Sequence, residues 1–556
     1  MADKRKAAEN RTTLRWVLKH LYKRWASFSV LVLLQSLSAV AGVLLALAVR
    51  SIVDAAVGVD KLGIIYGVIA LGALVGFQYL CRYISSRLSN YISVKLNVSF
   101  RGELASSLYN AKYSTVSAFH SGELMNRFTT DVEAVTSGVT GLLPSAITMV
   151  VRIVCAGVVL FVLSPELLLI SLAIGALVGL GMLLFRNKLK ALQRGVRESE
   201  GKVRSFMQES IVDLPVIKAF SASPAFLNRL YAVQDVNAKN RIRHNRFTSL
   251  AGAAIGLCFT LAYMAALTWG AFSIYTGAFT YGTLTAVLQL VSQVRTPLAG
   301  LSQVMPQYYS TLVSAERLMS LLRLESDAQE PLPKEVIDDF QRLDVNDVCF
   351  EYSNGQPVLE NVSFSVERGQ SCVISGLSGI GKSTIVKLLL SLYSPCSGGI
   401  SFVCGSESYD LSSSARGLFA YVPQGNMLFG GSIRDNITMY DGSIPDERIL
   451  EACRLACADG FIAKMPDGLA SILSEGGKGV SEGQAQRIAI ARALLCDAPI
   501  LLLDEAASSL DASTERQVLE NLKALGKTCI MISHRSVPDE YADIRLKVEN
   551  RRITMV

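Results

Sequence analysis

Residues 376–384 read GLSGIGKST, and no other stretch constrains the fold as strongly. The pattern GxxxxGK[ST] puts glycines at Gly376, Gly379 and Gly381, where a loop without side chains can curl until its backbone N–H groups close around phosphate oxygens. Lys382 then reaches the β- and γ-phosphates, Ser383 a Mg2+ ion, and Ser378 and Thr384 complete the loop. A helix beginning at Lys382 adds its positive end. An ordinary strand-to-helix turn can also be rich in glycine, so the reading needs support from elsewhere in the chain.

Two later motifs supply it. Residues 500–506, ILLLDEA, are a continuous apolar run ending in a carboxylate, as a parallel strand buried on both faces reads before it emerges at its ligand-binding edge. Asp504 is therefore expected near the metal. Glu505, the next residue, is the acid placed to accept a proton from an attacking water. In VSEGQ, residues 480–484, Ser481 and Gln484 have capping-box spacing, and the amphipathic GQAQRIAIARALL follows at once. A helix start with a serine and a glycine is also a phosphate-binding surface. It cannot fold back onto its own P-loop if both point outward, so the arrangement asks for a second copy of the domain.

With these motifs in order, the C-terminal part resembles the nucleotide-binding domain of ATP-binding cassette (ABC) transporters. The resemblance implies ATP and Mg2+ as ligands, with Ser383, Gln424 and Asp504 around the metal and Lys382 on the phosphates. It places Tyr352 where an aromatic stacks on adenine, Gln424 in YVPQGNMLF where the Q-loop glutamine meets metal and water, and His534 in MISHR at the switch position on the γ-phosphate. Asp511 in SSLD falls at the dimer seam, and Ser481, Gly483 and Gln484 face the partner's nucleotide. Glu505, His534, Gln424 and Lys382 are thus the expected catalytic set. The chain departs from the pattern at Val480 and Glu482, where the commonest signature has leucine and glycine. Glu482 brings a carboxylate toward the polyphosphate, where like charges repel.

The remaining residues are too apolar for a soluble domain. Half of the 556 residues are hydrophobic and the mean hydropathy is +0.35. Membrane spans need about 20 mostly apolar residues, and six windows qualify: 26–50, 62–81, 138–163, 166–185, 249–275 and 281–304. The third and fourth are separated only by Ser164, Pro165 and Glu166, the fifth and sixth by a short turn containing Gly277. The expected architecture is an all-α six-helix transmembrane domain over 1–325, a linker over 326–339 and an α/β P-loop NTPase cassette over 340–556. The linker is marked by Pro331 and Pro333 in an acidic, polar stretch.

Basic residues cluster after the second span, from Arg82 to Arg127, and after the fourth, from Arg186 to Arg246; the short connections hold almost none. By the positive-inside rule the long loops, both termini and the cassette are cytoplasmic and the protein is multi-pass in the cell membrane. Leu14, Val17, Leu18 and Leu21 repeat at helical spacing among Arg15, Lys19, Lys23 and Arg24, the pattern of an interfacial helix and too polar for a signal peptide. These loops explain the net charge of +7, so no nucleic-acid partner is implied. The 11 cysteines contain no CxxC pair and suit a reducing compartment.

GELMNRFTTDVEAV (122–135) and ESIVDLPVIKAF (209–220) are similar to segments of exporters in which six spans are fused to one cassette. The resemblance implies short coupling helices, expected around Tyr113–Phe119 and near Phe226–Val233. The chain then reads as a half-transporter that works as a dimer, a homodimer by preference and a heterodimer as the alternative. Its expected activity is ATP-driven export of a small molecule, lipid-like amphiphile or peptide. An importer on the same fold, or an ATP-gated regulator or channel, are the alternatives. For the substrate the candidates are Arg82, Arg152 and Arg295 with Gln289 and Gln293, since an arginine at membrane depth costs roughly 2.5–3.5 kcal/mol and turns to a cavity or a partner. They either converge on an anionic head group, or snorkel and bond to neighbouring helices.

Overall fold

The computed structural model describes residues 12–556 apart from 14, 18, 23, 328, 353, 354, 426, 427, 478, 507 and 534; it describes the backbone alone at 170–172, 174–184, 186, 294–303, 305 and 536. The chain forms two compact units. One comprises Met1–Leu104 and Gly122–Leu322, the other Ala105–Ser121 and Arg323–Val556.

The first unit is helical. Its long helices are α1 (Trp25–Val57) and α2 (Lys61–Tyr109), the last residues of which belong to the second unit. After α3 (Tyr113–Val116) of the second unit come α4 (Leu143–Leu163), α5 (Pro165–Val212), the short α6 (Leu214–Ala219), α7 (Ser223–Tyr275) and α8 (Tyr281–Leu322). Each expected span falls within one helical run. Among the described residues, Trp25–Val57, Lys61–Tyr109, Ser121–Leu163 and Ser223–Tyr275 are long and apolar enough to cross a membrane. The helix α7, with 53 residues, is about 80 Å long at 1.5 Å per residue. That is well over twice the roughly 30 Å hydrocarbon thickness, so much of it must leave the membrane.

The connections follow from local chemistry. Ser164, extended at φ −163°, ends α4 and caps α5, accepting a hydrogen bond from the Leu167 N–H, while Pro165 occupies the first turn where its missing N–H is harmless. Gly277 turns the α7–α8 connection at φ 75°. Small residues of α1, including Ser38, Ala39, Gly42 and Ala46, are buried, allowing close helix packing. Val43 and Ala46 join Ala156, Leu160, Leu167, Ala266, Val287 and Leu290 in a core drawn from α1, α4, α5, α7 and α8. The helix leading into α4 contains two π-turns, Arg127–Asp131 and Gly138–Leu142. The first is tied to α8: Arg127 donates to the Arg317 carbonyl at 3.1 Å, and Ser314 donates to Asp131 at 2.7 Å. No periodicity in the sequence announces these turns.

One expectation is corrected. Phe226–Val233 does not form a short helix; it lies inside the unbroken α7, and the short helix between α5 and α7 is Leu214–Ala219. Both α6 and α7 carry proline in their first turn, so the local sequence does not distinguish the short helix from the long one. The expected helix near Tyr113–Phe119 is α3, Tyr113–Val116. In the N-terminal segment Val17 and Leu21 are buried, whereas Leu14, Leu18 and Lys23 lie outside the described residues.

The second unit has two main sheets. β1 (Phe340–Glu351), β2 (Pro357–Glu367), β4 (Ser397–Cys404) and β5 (Glu407–Asp410) form an antiparallel sheet ordered β2-β1-β4-β5. β3 (Ser371–Gly376), β6 (Phe419–Val422), β7 (Ile500–Asp504), β8 (Thr528–Ile532), β9 (Ile544–Glu549) and β10 (Arg552–Met555) form a sheet ordered β10-β9-β3-β8-β7-β6, parallel except for β10. Alternation along the strands feeds two cores. Leu501, Leu503, Cys529 and Met531 face one, Ile500, Leu502, Ile530 and Ile532 the other. Covered on both faces, β7 carries no polar residue until its carboxyl end, where Asp504 appears.

Candidate active site

The site is built at that edge. β3 ends at Gly376 (φ 147°), and the loop turns through Gly379 (φ 79°) and Gly381 (φ 111°) into α9 (Lys382–Leu389). A Cβ at Gly376 would sit 2.7 Å from the Val548 carbonyl, and one at Gly381 2.8 Å from Val358, so neither position admits a side chain. Gly381 is the N-cap and offers no side chain to the first N–H groups of α9, which leaves them for an anion. Lys382 folds across the loop and donates to the Gly376 and Leu377 carbonyls, both at 2.9 Å. Burial lowers its pKa, against the pull of Glu505 and Asp504. A charged amine held there gains from a polyphosphate. Ser378 is exposed on the loop, and Thr384 is buried against the Tyr352 hydroxyl at 3.1 Å.

Asp504 and Glu505 stand together opposite this loop. Ser383 donates to Asp504 at 3.2 Å, and burial first, then the neighbouring Glu505, raises the Asp504 pKa above the usual carboxylate range. A buried carboxylate beside a second carboxylate and a hydroxyl is a donor set that suits a hard cation. Glu505 itself has φ 51°, a left-handed conformation rare for a glutamate. Its N–H donates to the Ile532 carbonyl at 3.1 Å, and Gln424 donates to its carboxylate at 2.6 Å. His534 lies outside the described residues.

The signature segment begins α10 (Glu482–Leu495). Ser481 and Gln484 form the capping box: the Gln484 N–H donates to Ser481 Oγ at 3.3 Å and the Ser481 N–H to the Gln484 side chain at 2.9 Å. Gly483 is required by packing, since a Cβ there would lie 2.8 Å from the Ser509 carbonyl. Asp511 caps α11 (Ala512–Ala524), accepting from the Thr514 N–H at 2.9 Å.

The comparisons agree along most of the chain. Residues 25–298 match the family described as ABC transporter transmembrane region, and residues 359–508 the family described as ABC transporter. The chain belongs to the ABC transporter family. It is 29% identical over 555 residues to the ABC transporter ATP-binding protein YfiC of Bacillus subtilis (strain 168), covering 98% of this chain and 91% of that protein. It is 28% identical over 468 residues to the ATP-dependent lipid A-core flippase of Syntrophus aciditrophicus (strain SB), covering 82% and 76%. A solved bacterial Atm1-family ABC exporter with ATP bound shares the fold at TM-score 0.79 and 23% identity, over 96% of this chain and 94% of that one. This ABC transporter is therefore a membrane ATPase that couples ATP hydrolysis to export and works as a dimeric half-transporter.

Two residues of this transporter escaped the motif reading. Gln486, buried in α10, donates to the Ser508 and Ser509 hydroxyls at 3.2 and 3.3 Å and accepts from the Ser509 N–H at 3.1 Å. Arg535 donates to the Leu510 carbonyl at 2.8 Å, to the Ser508 carbonyl, and to the buried Glu515 at 3.1 Å. Together they hold the segment after Glu505 from two sides. The signal available for Gln486 was a polar residue in the otherwise apolar face of AQRIAIARALL.

The membrane candidates divide. Gln293 donates to the Gly42 carbonyl on α1, a helix-to-helix bond, and Gln289 is half-buried on α8. Arg152 is half-buried on α4 and Arg82 exposed on α2. Neither side chain has a hydrogen bond or ion pair to a described residue. The side chain of Arg295 lies outside them.

Proposed function

We propose that this chain is a homodimeric exporter of amphiphiles carrying an anionic group, with a transmembrane domain over 1–325, a linker over 326–339 and a cytoplasmic cassette over 340–556. Both termini and the long basic loops are cytoplasmic, following the charge asymmetry. Catalysis rests on one observation above all, the Gln424-to-Glu505 hydrogen bond beside the Ser383–Asp504 pair. Glu505 takes a proton from the water attacking the γ-phosphorus as the bond to ADP breaks, and Gln424 orients that carboxylate. Lys382, Ser378, Thr384 and the amides around Gly376, Gly379 and Gly381 hold the phosphates, and Tyr352 stacks on adenine. Ser383, Asp504 and Gln424 would hold Mg2+, which neutralises charge on the β- and γ-phosphates. Ser481, Gly483 and Gln484 bind the partner's nucleotide, and His534 contacts the γ-phosphate of the nucleotide on its own P-loop, beside Glu505.

Glu505→Gln is expected to bind ATP normally and to lower single-turnover hydrolysis by about a hundredfold or more, trapping the closed dimer. Hydrolysis at the native rate would remove Glu505 from the role of base.

Arg82 and Arg152, basic side chains in membrane-spanning helices with no hydrogen bond or ion pair to a described residue, support the substrate class. A cation at membrane depth is stabilised by an anionic group. That chemistry fits a lipid-like substrate with a phosphate or carboxylate, and one relative is named an ATP-dependent lipid A-core flippase. Stimulation of ATPase activity by anionic amphiphiles should need about tenfold higher concentrations in Arg82→Gln or Arg152→Gln, while neutral amphiphiles act as before. An unchanged preference for anions would leave the arginines as snorkelling or packing residues.

A further inference from the structure

A cavity of about 340 Å³ opens between the start of α1 and the middle of α2, lined by Arg24, Trp25, Ser27, Tyr91 and Lys95 among others. Several basic groups in the same unit are paired with an acid, as Arg127 is with Glu123 and Arg241 with Glu200. The Arg24 and Lys95 side chains have no hydrogen bond or ion pair to any described residue. Two unpaired cations, two hydroxyls and an indole therefore meet in one notch.

Its depth follows from the α1–α2 hairpin. Trp25 and Tyr91 each lie roughly 30 residues from the turn that joins α1 to α2, which at 1.5 Å per residue is about 45 Å. A bilayer with its head groups is about 40–45 Å thick. With the turn at one surface, the notch falls in the head-group layer of the other, at the end of α2 that leads into the cassette. Trp25 and Tyr91, both exposed, then occupy the interfacial position that such side chains favour. From the notch toward the membrane centre, α1 exposes Val30, Leu33, Leu37 and Leu44, a stripe at helical spacing.

We propose that this notch binds the phosphate of an acidic phospholipid in the leaflet on the cassette side. The Arg24 guanidinium and Lys95 ammonium donate to phosphate oxygens, Ser27 and Tyr91 have hydroxyls to add, and the acyl chains lie along the apolar stripe of α1. Soluble phosphate or nucleotide has the same anionic chemistry but no use for that stripe. The bound lipid braces the N-terminal segment, which already docks on α2 through His20 to Glu103 at 2.9 Å and Trp16 against Phe100 at 5.4 Å between ring centres. The site rests on the membrane topology proposed above, and is separate from Arg82 and Arg152.

Trp25 reports on the notch directly, since the chain has only three tryptophans. The full-length protein carrying Trp16→Phe and Trp269→Phe is placed in vesicles containing brominated phosphatidylglycerol or brominated phosphatidylcholine, and quenching of Trp25 is measured without ATP. The expected result is an apparent association about tenfold stronger for the acidic lipid, falling to parity when Arg24→Gln and Lys95→Gln are added. Millimolar inorganic phosphate or ATP should displace none of it. Removing Arg15 and Lys19, exposed cations that do not line the cavity, should leave the preference intact. Equal quenching by the two lipids, loss of preference in the Arg15→Gln/Lys19→Gln control, or displacement by soluble phosphate would each overturn the proposal. Native mass spectrometry of retained lipid, with all tryptophans present, gives the same comparison should Trp16→Phe loosen the N-terminal segment. Because neither readout needs turnover, a failed export or hydrolysis assay is distinguishable from a failed lipid site.

Discussion

Glu482 occupies the first turn of α10, just after the Ser481 cap, and is exposed there. An acid at that position gains about 0.3–1 kcal/mol from the positive end of the helix. In the proposed dimer the same helix end faces the partner's polyphosphate, where unit charges about 4 Å apart repel by roughly 1–4 kcal/mol at surface dielectric values. Repulsion therefore outweighs the local gain whenever nucleotide is bound. Glu482→Gly should lower the apparent KM for ATP about tenfold while slightly lowering the cassette's Tm, as steady-state kinetics and thermal unfolding would show. An unaltered KM would mean that the carboxylate turns away from the nucleotide. At this scale the P-loop turn and the Ser481–Gln484 capping box were legible in the sequence, because both are main-chain geometry that a short pattern encodes. The sequence did not carry the φ of 51° at Glu505, which depends on the Ile532 and Gln424 contacts, nor Arg535, whose partners lie 20 to 27 residues away.

At the scale of elements, α3 shares a unit with the cassette and touches it through aromatic rings. Tyr113 meets Tyr393 edge-on at 5.7 Å between ring centres, Tyr393 meets Tyr352 at 5.4 Å, and the Tyr352 hydroxyl is 3.1 Å from Thr384 in the P-loop helix. Ser117, just beyond α3, is 3.0 Å from the Tyr393 hydroxyl. Adenine stacked on Tyr352, as proposed above, would have a packed route to α3, because rigid rings in contact transmit displacement better than flexible chains do. Tyr393→Ala should leave ATP affinity within about threefold but raise the number of ATP molecules hydrolysed per substrate moved, whereas Tyr393→Phe, which keeps the ring, should stay near native. Equal coupling in both variants would make Tyr393 a packing residue only. The expectation for α3 came from family resemblance, and its sequence, YSTV, has too short a pattern to be read otherwise. The same brevity misplaced α6. LPVIKA and the residues after Ser223 both start at a proline, and only tertiary structure tells which start ends after two turns.

At the scale of the whole molecule, the chain holds one complete set of P-loop, acidic and signature residues, and the proposed role of the Ser481 helix start is to meet the nucleotide of a second copy. Two copies in head-to-tail register satisfy both sets at once, and two-fold symmetry then creates two equal composite sites. In such a dimer each Glu505 acts on the nucleotide held by its own P-loop, while closure requires both nucleotides. Mixing native chain with Glu505→Gln chain before reconstitution separates the possibilities. If both sites must fire to reopen the dimer, an equal mixture retains about a quarter of native turnover, the fraction of dimers with two native subunits. Independent sites would retain about half, and then closure would not be the shared step that export needs. No turnover from the native chain alone, with ATP binding intact, would instead mean that a different half-transporter supplies the second signature. In that event Glu482 becomes the residue that its partner must match, because the composite site it enters would be asymmetric from the outset.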